Sequence, residues 1–162
     1  MAGLSIAEML RQELTSYPPL QPILTGGVWT RPIKRDMSED AGDPSLGSTP
    51  GAFEATPPYR IKPCISIQAG LEERNSNAPN DAMWGFPTLW IRTQPKTTEK
   101  AKLEDIFLLI RRRLHHQPLT MPSGSGCMMA LAGRMGPMDD IAIKGAVVMM
   151  VTVQVDGIWE VL

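Results

Sequence analysis

The sequence predicts an α+β fold: a small, mostly antiparallel or mixed sheet of about four strands, two helices packed on one face, and a long mobile loop after the first helix. Three observations predict it. Thr97–His116 carries apolar residues at three- and four-residue steps, the period of a helix with one buried face. Ala146–Val155 carries them on both alternating sets of positions, as a strand in the middle of a sheet does. The elements follow in the order helix, loop, two strands, helix, two strands, which fits helices gathered on one side of a sheet.

The 162 residues suffice for one domain with a real core, so the chain is read as a single domain, 1–162, with a flexible insertion at 34–57. The apolar fraction, 43%, is that of an ordinary globular protein. A formal net charge of −1 excludes a global charge that would drive the chain onto nucleic acid or a membrane surface. No basic start joins a long apolar run, and no apolar stretch is long enough to span a bilayer, so neither a signal peptide nor a membrane helix is expected. Cys64 and Cys127 lie far apart and form no CxxC pair. Reduced, half-buried thiols are expected, in a chain made and assembled in a cytoplasm. The 15 prolines point to long irregular connections, and the 11 methionines to adaptable packing surfaces.

Ser5-Ile6-Ala7-Glu8 reads as a capping box, with Leu4 and Met9 at the positions of a hydrophobic staple. Ile6, Met9, Leu10 and Leu14 make the apolar stripe of a helix from Ser5 to Ser16, which Pro18-Pro19 ends. Val28-Trp29-Thr30 is a brief extended segment that Ile33 can prolong. Lys34–Pro57 differs in kind, with Asp36, Glu39, Asp40 and Asp43 and almost no large apolar residue before Phe53. Such a segment cannot bury enough surface to offset its ordering entropy, so a mobile loop is expected. Tyr59, Ile61, Ile65 and Ile67 alternate with Arg60, Lys62, Cys64 and Ser66, a strand with one buried face. Pro63 cannot donate to a ladder, so that strand either lies at a sheet edge or turns its N–H side outward there. Gly70–Asp81 reads as a connecting loop, and Trp84–Thr93 as a second strand that completes a hairpin with a long tip.

In the central helix Leu103, Ile106, Phe107, Ile110 and Leu114 form the buried stripe. Thr97 or Thr98 caps it, Glu99 faces the free N–H groups, and Arg111, Arg112, Arg113, His115 and His116 gather at the end where the dipole favours positive charge. Pro118 stops it. Leu108 falls outside the stripe, on the far side near Ala101. It is either an ordinary exposed leucine or a contact with another subunit. Met121–Gly126 is then a flexible turn, Cys127–Ala132 a third strand and Gly133–Asp140 another turn. Asp156-Gly157 is a turn signal that leaves Ile158–Leu162 as a tail.

No catalytic constellation emerges, and no catalytic, cofactor-binding or metal-ligating residue is assigned. Adjacent helical residues point about 100° apart, so His115 and His116 do not share a metal easily and are read as complements to the dipole. A Cys–His nucleophile would need Cys64 or Cys127 to meet a histidine by tertiary accident. Asp139-Asp140 lies in a Gly/Pro turn and reads as solvated rather than cation-holding. Ser123-Gly124-Ser125-Gly126 lacks the lysine and following helix of a phosphate loop. Arg111-Arg112-Arg113 lacks interleaved aromatics or a further basic stripe, which favours a solvated or interface-pairing helix end over nucleic-acid binding.

The ensemble resembles a known family. A capped first helix precedes Gly26-Gly27 and a short extended segment. Thr56-Pro57-Pro58-Tyr59-Arg60-Ile61 opens a strand, and Leu89-Trp90-Ile91-Arg92-Thr93 runs straight into the long helix marked by Ala101, Leu103, Ile106, Ile110 and Leu114. Val147–Val155 closes the pattern. In this order and hydrophobicity the chain resembles the tail-terminator and tail-completion (minor neck) proteins of long-tailed bacteriophages, except in the acidic, proline-rich insertion and the methionine-rich third strand. The resemblance implies a structural virion protein without catalysis or cofactor. It implies a homohexameric ring that caps the tail tube, ends its polymerisation and faces the head connector, with DNA free to pass through. Its implied partners are its own copies, the major tail tube protein and the head-connector or stopper protein, and its implied place is the tail or neck of a virion assembled in the host cytoplasm. Ring closure needs a head-to-tail interface. Candidate subunit contacts are Leu108, Ala101, Arg111 and Arg112 on the helix and Tyr59 and Ile61 on the expected edge strand. Asp36, Glu39, Asp40 and Asp43 belong to a loop that can order on docking to tube or connector. The alternatives are another head–tail neck ring protein, a small α+β ligand-binding domain or enzyme, or a regulatory or nucleic-acid-binding module.

Overall fold

Val147–Gly157 organises the molecule, paired along both of its edges. The computed structural model describes residues 5–33, 51–56, 58–74, 83–120 and 126–157. Within them the elements are α1 (Ile6–Thr15), β1 (Val28–Trp29), β2 (Cys64–Gln68), β3 (Glu72–Arg74), β4 (Met83–Gly85), β5 (Thr88–Thr93), α2 (Thr97–Leu114), β6 (Gln117–Thr120), β7 (Gly126–Asp139) and β8 (Val147–Gly157). The class is α+β, as expected, but one sheet of eight strands curled into a half-barrel replaces the expected four. Strands β1, β2, β5 and β8 run side by side, and β7 and β6 continue the sheet beyond β8. Only β1 joins its neighbour in parallel.

Both helices cover the same face of this sheet. Ile6, Leu10 and Leu14 of α1 and Leu103, Ile106, Ile110 and Leu114 of α2 share one buried cluster with Ile65, Leu89, Ile91, Met149, Val151 and Val153. Each side chain of this size, taken fully out of water, contributes roughly 1.5–3 kcal/mol. An ion pair between Glu13 and Arg113 ties the two helices side by side. At the start of α1 the Ser5 hydroxyl accepts from the Glu8 N–H at 3.1 Å. The Glu8 carboxylate completes no box; it pairs with Arg11. Helix α2 departs from expectation, since Lys96 is its N-cap and no side chain caps it, Thr97 and Thr98 being already inside the first turn.

The strand expected from Tyr59 begins only at Cys64, and it is not an edge, because β1 lies beside it. Tyr59 takes a left-handed φ of 53°, and Ile61 bridges to Phe53. The alternation across 59–67 therefore joins two structures at Pro63. Ile61 belongs to a second cluster with Ile33, Ala52, Phe53, Cys64, Ile143 and Ala146. That corrects the end of the expected mobile loop as well, since Ala52 and Phe53 are buried. Asp36, Glu39, Asp40 and Asp43 lie outside the described residues, as do 158–162.

Three further expectations give way to pairing. The loop expected at Gly70–Asp81 holds β3, which extends the β2–β5 hairpin against β4. Gly70 sits at the pinch, where a Cβ would stand 1.9 Å from the Phe86 carbonyl oxygen. The turn expected at Gly133–Asp140 is the second half of β7, carried past two bulges at Leu131/Gly133 and Met135/Met138. Gly136 in the second bulge has a φ of +98°, a conformation L side chains rarely adopt. Pro118 ends α2 by entering β6, an edge strand that tolerates a missing donor.

Candidate functional site

The face of the sheet turned away from the helices is built differently. Ser66, Trp90, Met150 and Met135 stand opposite one another across β2, β5, β8 and β7. Met135 is 59% exposed and Met128, further along β7, 50%. The methionine-rich final third foreshadowed this surface, but not its position. One end of the face is closed by residues 51–56, 58–61 and 141–146, and polar groups hold that cover down. The buried Arg92 donates from Nε to Asp140 Oδ2 at 2.5 Å and from Nη1 to Ser66 Oγ at 2.9 Å. Asp140 Oδ1 accepts from the Ala142 N–H at 2.9 Å, and Gln94 Nε2 donates to the Ile61 carbonyl at 3.1 Å. Asp140 is thus no solvated turn residue: its side chain is 3% exposed and neutralised by Arg92. Asp139 next to it is exposed.

The outward face of α2 carries most of the expected contact residues. Leu108 is 53% exposed, and Ala101, Arg111 and Arg112 are exposed around it. Neither Arg111 nor Arg112 has an ion-pair partner among the described residues. Tyr59 and Ile61 do not join this face. Ile61 is fully buried and offers no surface, and Tyr59 is half-buried on the far side of the sheet's cover. An apolar groove of about 270 Å³, which the sequence did not reveal, opens beside β1 between Leu14, Leu20, Leu24 and Val28, with Thr15 and Gln21 at its rim.

His115 and His116 lie ring against ring, centroids 3.9 Å apart and planes tilted by 45°. Helical divergence does not separate them, because His115 is the extended C-cap and His116 has a φ of 57°. His115 Nδ1 accepts from the Leu131 N–H at 3.1 Å, so its proton sits on Nε2. Partial burial, the His116 ring and Arg111 lower its pKa. Among the described residues no three His, Cys, Asp or Glu side chains gather to hold a metal. Cys64 and Cys127 are free and buried rather than half-buried. Burial pushes the Cys64 thiol up to about 12, which disarms it as a nucleophile. Among the described residues no helix is long and apolar enough to cross a membrane. No protein-family model matches the chain, and no curated protein matches it either.

Proposed function

We propose that this chain is a structural virion protein that assembles into a ring, caps the phage tail tube, ends its polymerisation and joins the tail to the head connector. One observation carries the reading: apolar side chains are exposed on both sides of the molecule, Leu108 on α2 and Met128 and Met135 on the uncovered sheet face. A ring subunit that also docks on a tube needs two such surfaces, one for its neighbours and one for the tube. The near-neutral charge and the disarmed Cys64 thiol agree with work done by shape rather than by chemistry.

The test combines mass and microscopy. Light scattering of the purified chain should give a closed multimer, and electron microscopy should show it on the ends of purified tail tubes, limiting their length. A ring that ignores tube ends but binds connector favours another head–tail neck protein. A monomer that binds neither tube ends nor connector defeats the proposal.

A further inference from the structure

The outward face of α2 and the β1 edge of the half-barrel are complementary. Across the sheet the order runs β1, β2, β5, β8, β7, β6, with α1 over the β1 end and α2 over β5 to β7. At about 100° per residue, Arg113 stands about 65° to one side of the buried stripe of α2, where it reaches α1. Phe107, Glu104 and Arg111 stand about 55° to 115° to the other side, where Arg134 of β7 pairs with Glu104 and lies over the Phe107 ring. Leu108 is displaced toward that same side, about 155° from the stripe. The exposed leucine and Arg112, about 165° away on the other side, therefore face outward from the sheet, with Arg111 turned toward β7.

The groove lies at the opposite edge, beside β1 and the end of α1. Its floor is apolar, with half-buried Val28 and the edge of Leu24 at the surface and Leu14 and Leu20 buried beneath. Its rim is the carboxyl end of α1, whose last turn holds no basic residue. The Ser16 hydroxyl bonds the Gln12 carbonyl, and the Gln21 amide bonds that of Thr15, but among the described residues no cation in the last turn offsets the negative end of the dipole. Arg11 nearby is neutralised by Glu8, and Glu13 by Arg113. The outward face of α2 thus offers an apolar knob with two cations that have no ion-pair partner among the described residues, and the β1 edge an apolar slot beneath a negative helix end.

We infer that the groove beside β1 receives the outward face of α2 from a second copy of this chain, with Leu108 seated in the slot and Arg111 and Arg112 over the carboxyl end of α1. This rests on the ring reading above and gives it a mating geometry. Knob and slot are different surfaces, so the contact is head-to-tail and propagates from copy to copy until it closes.

Paired cysteines test it in the full-length chain, because native Cys64 and Cys127 are buried. With Leu108→Cys and Gln21→Cys together, mild oxidation should give a ladder of covalent multimers ending at the ring, and neither variant alone should give one. Thr15→Arg adds a cation at the end of α1, which suits its own helix but repels the incoming arginines. It should reduce the mass to that of a single folded chain by light scattering and circular dichroism, and adding Arg112→Glu should restore the multimer. A closed multimer without the ladder, or Leu108→Cys alone giving covalent dimers, overturns the mating geometry and leaves the ring standing. A wild-type chain that stays monomeric at every concentration overturns both.

Discussion

The two faces of the central sheet are held by different physics. Under the helices, Leu10, Leu14, Leu103, Ile106, Ile110 and Leu114 meet the β-strands in one apolar cluster, where attraction is non-directional and many side chains share it. On the other face the cover at 51–56, 58–61 and 141–146 closes over a small cluster and is fixed by a few directed contacts centred on Arg92 and Asp140. The difference teaches where each face is vulnerable. The first tolerates a loss in proportion to volume removed; the second depends on single partners whose removal strands a buried charge.

Asp140→Ala should therefore cost the most, about 3–5 kcal/mol in urea unfolding, because Arg92 is left buried without its partner. Replacing both, as Arg92→Met with Asp140→Leu, should recover most of that loss; a double variant as unstable as the single one would break the contrast between the faces. Next, Ile110→Ala on the helix-covered face should cost about 2–5 kcal/mol, scaling with the cavity left behind. Smaller still, Ser5→Ala should cost about 1 kcal/mol, whereas Thr97→Ala should cost about none, since only Ser5 accepts a capping N–H.

The subtlest effect is a pH dependence at the junction of α2 and β7. The folded pKa of His115 lies below its unfolded value, through partial burial, His116 and Arg111. Its contribution to stability is therefore present above the unfolded pKa of about 6.5 and lost as pH falls through the lowered folded value, when Nδ1 takes a proton and ceases to accept from Leu131. The urea midpoint of the wild type should fall more steeply from pH 7.5 to pH 5 than that of His115→Gln. Equal slopes would remove His115 from the account.

What was legible in the sequence was what repetition encodes. The buried stripe of α2, the apolar face of α1 and the central place of β8 follow from periods that one short window contains. Strands β3 and β6 were hidden because three or four residues carry no period of their own, and partners elsewhere in the chain make them strands. Asp140 was misread for the same reason: its neighbours in sequence are turn residues, while its ion-pair partner is 48 residues away. Tyr59–Ile67 misled in the opposite sense, showing a strand's alternation across a corner. Of the candidate contacts, those on α2 could be read because helical geometry fixes which side Leu108 faces. The groove beside β1 could not, since α1, the 20–24 segment and β1 form it together.

The bulges in β7 have an implication for how this strand tolerates change. Each admits an extra residue and so reverses which parity of position looks toward the helices: Met129 and Leu131 do so before the first, and Arg134 does so after it. Removing Ala132 would restore an unbroken count and leave Gly133, Arg134 and Met135 opposite Thr152, Val151 and Met150, with the Arg134 guanidinium still above Phe107. The bulge thus acts as slack: a one-codon deletion here is absorbed, whereas the same deletion inside the unbulged β5 would exchange the inside and the outside of the strand residues after it.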